Sequence, residues 1–177
     1  MCTPQQTQTS RTRRCHGFTL VELMITLAVL VVVMAVAVPS LQEFSANNQL
    51  VATKSQFAGA VSLARTEAGK RGRVVVLQAL GNGPAGNEFA NGWEVAADDD
   101  NNGSVSATET RVRKTASTLE RVKLGGPVMM GFRASGALVG GAAQVFTLCR
   151  ASGGTKGYTV TVMPSGATDV ALINTCS

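Results

Sequence analysis

The hydrophobic and polar positions divide the chain into stretches of different character. Residues 1–17 contain no aliphatic side chain beyond the initiator methionine, whereas residues 18–38 are almost wholly apolar. A continuous apolar run of about 20 residues is long enough to cross the hydrocarbon core of a bilayer as a helix. The pattern therefore predicts one membrane-spanning helix close to the N-terminus.

Beyond residue 38 the pattern becomes amphipathic. Apolar residues recur at helical spacing and form one stripe, at Leu50, Phe57, Val61, Ala64 and Ala68. We expect a helix from Thr19 to about Gly69, with a kink at Pro39 because proline removes a backbone hydrogen bond. The stripe is predicted to pack against a sheet as ordinary core.

The remaining sequence alternates short apolar runs with clusters of Gly, Asn, Asp and Ser, which is typical of strands joined by turns. The candidate strands are Arg73–Ala79, Gly92–Ala97, Thr110–Lys114, Glu120–Leu124, Val128–Arg133, Ala137–Val139, Gln144–Arg150, Gly157–Met163 and Asp169–Asn174. Residues 82–91 are predicted to be a mobile loop. The fold class is therefore α+β, a long N-terminal helix packed on an antiparallel β-sheet head domain.

The charge is as unevenly placed as the apolar residues. The chain has 16 basic and 11 acidic side chains and a formal net charge of +5, but Arg11, Arg13 and Arg14 precede the apolar run. The residues from Phe18 on carry 13 basic and 11 acidic side chains, a net charge of +2. Basic residues before a span and few after it predict a cytoplasmic N-terminus and an exported C-terminal part.

The one histidine, His16, also precedes the span. The part of the chain from Phe18 on therefore lacks the imidazole of Ser-His-Asp and Cys-His hydrolases and of most zinc enzymes. We expect no enzymatic activity.

Glu22 stands inside the apolar run. A carboxylate in a membrane helix costs roughly 2.5 kcal/mol or more, and such residues are usually functional. A cut between Gly17 and Phe18 would create an α-amine within reach of Glu22 of a neighbouring subunit. Because opposite charges attract strongly at low dielectric, this pair would set the register of stacked identical helices.

Residues 13–23, Arg-Arg-Cys-His-Gly-Phe-Thr-Leu-Val-Glu-Leu, resemble the class III signal of type IV pilins and type II secretion pseudopilins. The resemblance implies that a prepilin peptidase cuts after Gly17 and methylates Phe18. It implies that Glu22 guides entry into the growing filament and that Pro39 is the helix-kinking proline of many pilins.

The same resemblance implies an organisation and a location. Residues 1–17 are a leader that is removed, 18–38 the transmembrane half of the helix, 39–72 its amphipathic half, and 73–177 a β-rich periplasmic head. The protein is expected in a bacterial inner membrane as a single-pass protein and then in a filament. The expected partners are the prepilin peptidase, other major and minor pilins or pseudopilins, and the inner-membrane assembly platform.

Three further segments resemble the GspH/FimT type of minor pilin and minor pseudopilin. They are helix residues 57–68, the strand Gly92–Val95 with the acidic turn 98–103, and the strand that ends in Cys149 with a cysteine near the C-terminus. This resemblance implies a structural subunit that primes or caps assembly of a type IV pilus or a type II secretion pseudopilus. The alternatives are a DNA-binding minor pilin for DNA uptake and a plain membrane-anchored periplasmic domain.

The cysteines fall in different compartments if the leader is removed. Cys2 and Cys15 lie in the leader, whereas Cys149 and Cys176 would be exported. A disulfide is the default for two lone cysteines in an oxidising compartment, so we expect a Cys149–Cys176 bond. Closing that loop stabilises a domain by about 3 kcal/mol in the chain-entropy treatment.

The acidic turn fits the letters of a calcium loop, with Asp98, Asp100, Asn102, Gly103 and Glu109 at the required positions. In such a loop alternate side chains bind the ion and the last glutamate closes the site. A strand is predicted just before the turn and no helix on either side, which favours a solvated hairpin turn. Calcium is therefore a candidate ligand, and no other cofactor is predicted.

The basic residues form two groups, Arg65, Lys70, Arg71 and Arg73, and Arg111, Arg113, Lys114, Arg121 and Lys123. Relatives that act in DNA uptake carry a Gly-Arg-x-Arg motif between the last two strands, where this chain has Ser165-Gly166-Ala167-Thr168-Asp169. One tryptophan and one tyrosine offer little surface for base stacking. Both groups are interpreted as solvated faces, and nucleic acid is not an expected partner.

Overall fold

The computed structural model describes residues 18–81, 83–106, 108–116 and 121–176. Contacts within the chain define two compact units, one that ends at Leu41 and one that begins at Gln42. One helix, Leu20–Arg71 (α1), contributes residues to both. Its first part is exposed at every residue and is long and apolar enough to span a membrane. Pro39 lies inside α1, and the kink there stays a prediction.

Thr19 fixes the start of α1. Its Oγ1 accepts a hydrogen bond from the backbone N–H of Glu22 at 3.2 Å, and its carbonyl accepts one from the N–H of Leu23 at 3.1 Å. This is the N-cap arrangement, which satisfies N–H groups that have no partner within the helix. Phe18 therefore lies outside the helix.

Gly72 ends α1 two residues later than the sequence predicts. Its φ is 66°, and its N–H donates to the carbonyl of Ala68 at 3.0 Å. A left-handed residue just past the last turn is the usual helix stop, and glycine adopts it without steric cost. Lys70 and Arg71 lie in the last turn, where cations interact favourably with the helix dipole.

The strands of the described residues form two antiparallel four-stranded sheets. They are Val75–Ala79 (β1), Gly92–Ala97 (β2), Arg111–Ala116 (β3), Val122–Gly125 (β4), Met129–Phe132 (β5), Gln144–Arg150 (β6), Gly157–Val162 (β7) and Thr168–Ile173 (β8). The orders are β3-β2-β1-β5 and β4-β6-β7-β8. The α+β fold is confirmed, with the predicted sheet divided in two.

The predicted strand Ala137–Val139 is wrong. Leu138 forms an isolated bridge with Phe132 and donates its N–H to the carbonyl of Pro164, in the turn between β7 and β8. The N–H of Val139 donates instead to the carbonyl of Gly131 in β5. Because these neighbouring N–H groups bond to different elements, no strand ladder forms.

The core lies between the second half of α1 and the two sheets. All five residues of the predicted stripe are buried, which confirms it. Phe57 is at the centre, with its ring centroid 5.4 Å from Phe89, 5.5 Å from Trp93 and 5.0 Å from Phe146. Phe89 and Trp93 meet Phe57 nearly edge to face, an arrangement that favours aromatic pairs beyond their buried area. One helix residue thus joins both sheets.

The described part of the predicted mobile loop, residues 83–91, is packed onto the domain. Phe89 is fully buried, and its N–H donates to the carbonyl of Leu124 in β4 at 3.2 Å. The Asn87 side chain accepts a hydrogen bond from the N–H of Leu124 at 3.0 Å. Burial of one aromatic ring outweighs the turn-forming composition of the segment.

Candidate functional site

The N-terminal segment carries two of the predicted processing and assembly residues. Phe18 is 75% exposed and precedes α1, and Glu22 is exposed in its first turn. Gly17 lies outside the described residues. Among those residues Glu22 forms no ion pair. Its carboxylate is accessible to a cationic group from another chain.

The predicted disulfide joins Cys149, in β6, to Cys176, which follows β8. Strand β7 lies between β6 and β8, so the bond passes over β7 at Gly157, the residue paired with Cys149. A Cβ atom at Gly157 would overlap the Cys176 Sγ and the Leu148 carbonyl oxygen. The bond therefore depends on a residue without a side chain, which the sequence pattern did not identify.

The acidic turn between β2 and β3 brings three of its predicted residues together. Asp98, Asp100 and Glu109 each offer a carboxylate oxygen, and these oxygens lie within 4.8 Å of one another. Asp98 is 2% exposed and Glu109 is 7% exposed. The turn thus collects acceptors as the sequence pattern predicted.

The turn's own backbone already uses these acceptors. Asp98 accepts hydrogen bonds from the N–H groups of Asn102 at 3.1 Å and Gly103 at 2.9 Å. Glu109 accepts from the N–H groups of Asp99 and Ser106. Buried carboxylates need such donors, and here they close the loop. Calcium binding stays a prediction.

Asp99 has a role that the calcium pattern did not identify. It accepts from the Thr110 hydroxyl at 2.8 Å, from the Thr110 N–H at 2.9 Å, and from the Arg73 guanidinium at 2.8 Å. These donors, Thr110 first, hold the pKa of Asp99 below its usual value. Asp99 thus joins the start of the turn to Thr110, the residue before β3.

Several side chains of the two basic groups have partners within the chain. Lys70 and Arg71 both donate to Glu67, at 3.2 and 3.0 Å, and Arg111 donates to the buried Glu94 at 2.9 Å. Hydrogen bonds from Arg71 and then Lys70 lower the pKa of Glu67. With the Arg73–Asp99 pair, four of the nine basic side chains form ion pairs among the described residues, and the interpretation of both groups as solvated faces stays a prediction.

A groove that the sequence did not predict lies between α1 and the edge of the first sheet. Its volume is about 440 Å³. The residues that line it are Gln56, Gly59 and Ala60 of α1, Trp93 of β2, and Arg113 and Thr115 of β3. Gln56, Arg113 and Thr115 offer polar donors beside the apolar Ala60 and Trp93, which suits a ligand that is part polar and part apolar.

Comparison with protein families gives two matches. The family described as type II transport protein GspH matches residues 54–166, which is more than half of the chain. The prokaryotic N-terminal methylation motif matches residues 12–38. No curated protein sequence matches the chain.

Comparison with solved structures finds the type IV minor pilin FimU of Pseudomonas aeruginosa strain PAO1 in two crystal forms. The first has a TM-score of 0.57 at 20% identity and covers 72% of this chain and 92% of the FimU chain. The second has a TM-score of 0.50 at 20% identity, with coverage of 72% and 90%. The likeness shows that the two proteins share a fold.

Proposed function

The chain belongs to the GspH family, and from that premise we propose that it primes or caps assembly of a type IV pilus or a type II secretion pseudopilus as a minor subunit. One observation carries the proposal. The N-terminal methylation motif, residues 12–38, includes the first, exposed and apolar part of α1, in a chain whose residues 54–166 match the GspH family. The fold shared with the minor pilin FimU supports it.

The processing step uses the N-terminal segment. A prepilin peptidase cuts between Gly17 and Phe18 and methylates the new N-terminus at Phe18. Because Thr19 caps the helix, Phe18 remains outside it, which supports access to this end of the chain. Cytoplasmic processing and a periplasmic head follow from the arginines that precede the span.

Assembly uses Glu22. The α-amine of one subunit and the Glu22 carboxylate of its neighbour attract each other in a bundle of apolar helices, where the dielectric is low. The exposed apolar surface of α1 around Glu22 is then covered by other pilins or pseudopilins. The inner-membrane assembly platform adds the subunit to the filament, and the subunit itself catalyses no reaction.

Replacement of Glu22 by alanine tests the proposal. Removing one partner of a buried ion pair costs about 3–5 kcal/mol, so Glu22→Ala should insert in the membrane but fail to enter filaments. Glu43→Ala is the matched control, since Glu43 is an exposed acid further along α1. Both variants are followed by cell fractionation and by blotting of sheared filaments. Incorporation of Glu22→Ala at the wild-type level would contradict the proposal.

A further inference from the structure

Strand β3 is an edge of the first sheet that keeps one side unpaired. It pairs with β2 alone among the described residues. An unpaired strand edge presents a row of N–H and C=O groups that can pair with another extended chain. The groove described above runs along this edge, so we call it the β3 groove.

Two polar side chains of β3, Arg113 and Thr115, line the groove. Thr115 pairs with Trp93 and Arg113 pairs with Val95, and residues directly opposite in a sheet point to the same face. Trp93 and Val95 are buried in the core, whereas Arg113 is exposed and Thr115 half-buried. Val112, where the β2–β3 register shifts, still packs against the core, and beyond it Arg113 and Thr115 offer a guanidinium and a hydroxyl to the groove.

Gly59 lies on the helix side of the groove, with Gln56 and Ala60. A Cβ atom added there would meet no other atom within 4 Å. Glycine in a helix interior lowers stability relative to alanine, and here no turn, positive φ or close contact within the chain requires it. Gly59 is exposed, so the space beside it is open to a group from outside the chain.

The charge of the groove favours an acidic group. Arg113 forms no ion pair among the described residues, although Arg111 on the same strand pairs with Glu94. The Gln56 amide and the Thr115 hydroxyl flank it with further donors. A carboxylate beside a planar guanidinium accepts a charge-assisted hydrogen bond. Arg113 could donate such a bond to a carboxylate of another chain.

We propose that the β3 groove binds an extended acidic segment of another subunit of the same filament. The segment adds to β3 as a further strand, places one side chain between Trp93 and Gly59, and pairs a carboxylate with Arg113. Addition of a strand to a sheet edge draws affinity from main-chain hydrogen bonds and specificity from the pockets for alternate side chains. The identity of the partner rests on the proposed function.

Photocrosslinking of the full-length chain in its native membrane tests this proposal. A benzoylphenylalanine at Thr115 should cross-link to a peptide of another filament subunit that contains an aspartate or glutamate. Thr147, exposed on β6 of the other sheet, is the control position. A cross-link from Thr115 to lipid, to a helical segment or to a second copy of this chain alone would overturn the proposal.

Charge exchange identifies the contact. Arg113→Glu should lower the cross-link yield at least about tenfold, since loss of a paired charge at an interface is costly. Changing the acidic residue of the cross-linked peptide to arginine should restore the yield. Lys123→Glu, an exposed change of the same charge on β4, should have no effect. An unchanged yield with Arg113→Glu would overturn the proposed pairing.

In Gly59→Leu the new Cβ meets no other atom within 4 Å, and the rest of the side chain occupies the groove. The change should abolish the cross-link while the melting temperature stays at or above that of the wild type, because leucine is the better helix former. Ser62→Leu, on an exposed position of the same helix, is the control.

If Arg113 serves only to prevent edge-to-edge pairing, the Arg113→Val chain will cross-link from Thr115 to other copies of itself. Gly59→Leu will then leave the cross-link unchanged.

Incorporation into filaments is measured in the same cells and separates the two proposals. If the chain enters filaments but Thr115 gives no cross-link to an acidic peptide, the proposed binding at the β3 groove is overturned and the proposed function is not. Failure of the wild-type chain to enter filaments contradicts the proposed function, and with it the identity of the partner.

Discussion

Substitution of Gly157 is predicted to break the disulfide, because the bond forms only if residue 157 has no Cβ atom. In Gly157→Ala, the new Cβ would overlap the Cys176 Sγ and the Leu148 carbonyl oxygen and lie 3.3 Å from the Cys149 Sγ. The carbonyl belongs to the paired strand β6 and cannot move without loss of ladder hydrogen bonds. We therefore expect the Cys176 segment to be displaced and the bond to be lost.

The size of the effect follows from the closed loop. Cys149 and Cys176 are 27 residues apart, and a cross-link of that length stabilises by about 3 kcal/mol. For a domain of this size that change corresponds to a fall in melting temperature of about 10 °C. The wild-type chain should lose a similar amount in reductant, whereas Gly157→Ala should be insensitive to it.

The assay combines two measurements on full-length protein in detergent. Intact mass after thiol alkylation counts free cysteines, and near-ultraviolet circular dichroism gives the melting temperature of the head. Gly59→Ala is the matched control, since its Cβ meets nothing, and it should stabilise by up to about 1 kcal/mol. A Gly157→Ala protein with the bond intact and wild-type melting would refute the reasoning.

Three further predictions concern the head. Phe57→Ala removes the ring at the centre of the aromatic cluster and should lower the free energy of unfolding by about 3–5 kcal/mol, measured by urea titration; a loss below about 1 kcal/mol would contradict its central position. Burial acts to raise the pKa of Glu88, but the N–H groups of Gly86 and Gly126 outweigh it and lower the pKa below its usual value. Ionised Glu88 therefore stabilises the fold above about pH 4.3, and this stabilisation is lost as the pH falls. Glu88→Gln should flatten the dependence of the unfolding free energy on pH between about pH 5 and 3. An unchanged slope in that range would count against this role. Asp98→Ala should lower the melting temperature with or without millimolar calcium, because its carboxylate closes the loop; a calcium-dependent rise in the wild type that Asp98→Ala abolishes would establish an ion site.

The parts of the fold that depend on near neighbours in sequence were predictable. The stripe from Leu50 to Ala68 follows the helical period, and the strands Gly92–Ala97 and Gln144–Arg150 agree with the sequence to the residue. The Cys149–Cys176 bond followed from the cellular compartment and the number of cysteines. Each of these features can be recognised from residues close together in the sequence or from the number of cysteines.

Features that depend on distant partners were not predictable. The division into two sheets is set by pairings such as β1 with β5, which no local pattern records. Gly157 looks in sequence like any other strand residue. Its glycine is needed only because the pairing of β8 with β7 places Cys176 over it. Phe89 looked like part of a flexible loop because turn residues surround it, and only the ring of Phe57 gives it a reason to be buried.

The candidate sites show the same division. Glu22 and Phe18 were identified from a short continuous motif, and the N-terminal methylation motif matches the same stretch, residues 12–38; their roles stay predictions. The β3 groove joins residues of α1, β2 and β3, so no stretch of sequence contains it. Arg113 was visible only as one cation in a basic group, because its position on the inner face depends on the β2–β3 register.

The aromatic cluster around Phe57 also determines when the head can fold. Synthesis delivers Phe57 first and Phe146 last, and Phe146 belongs to the second sheet. Until β6 has been made, one side of the helix stripe has no sheet to cover it. Folding dominated by such long-range contacts is slow and late, and the incomplete chain exposes aromatic surface in the meantime. A chain that stops before residue 144 should therefore aggregate or be degraded.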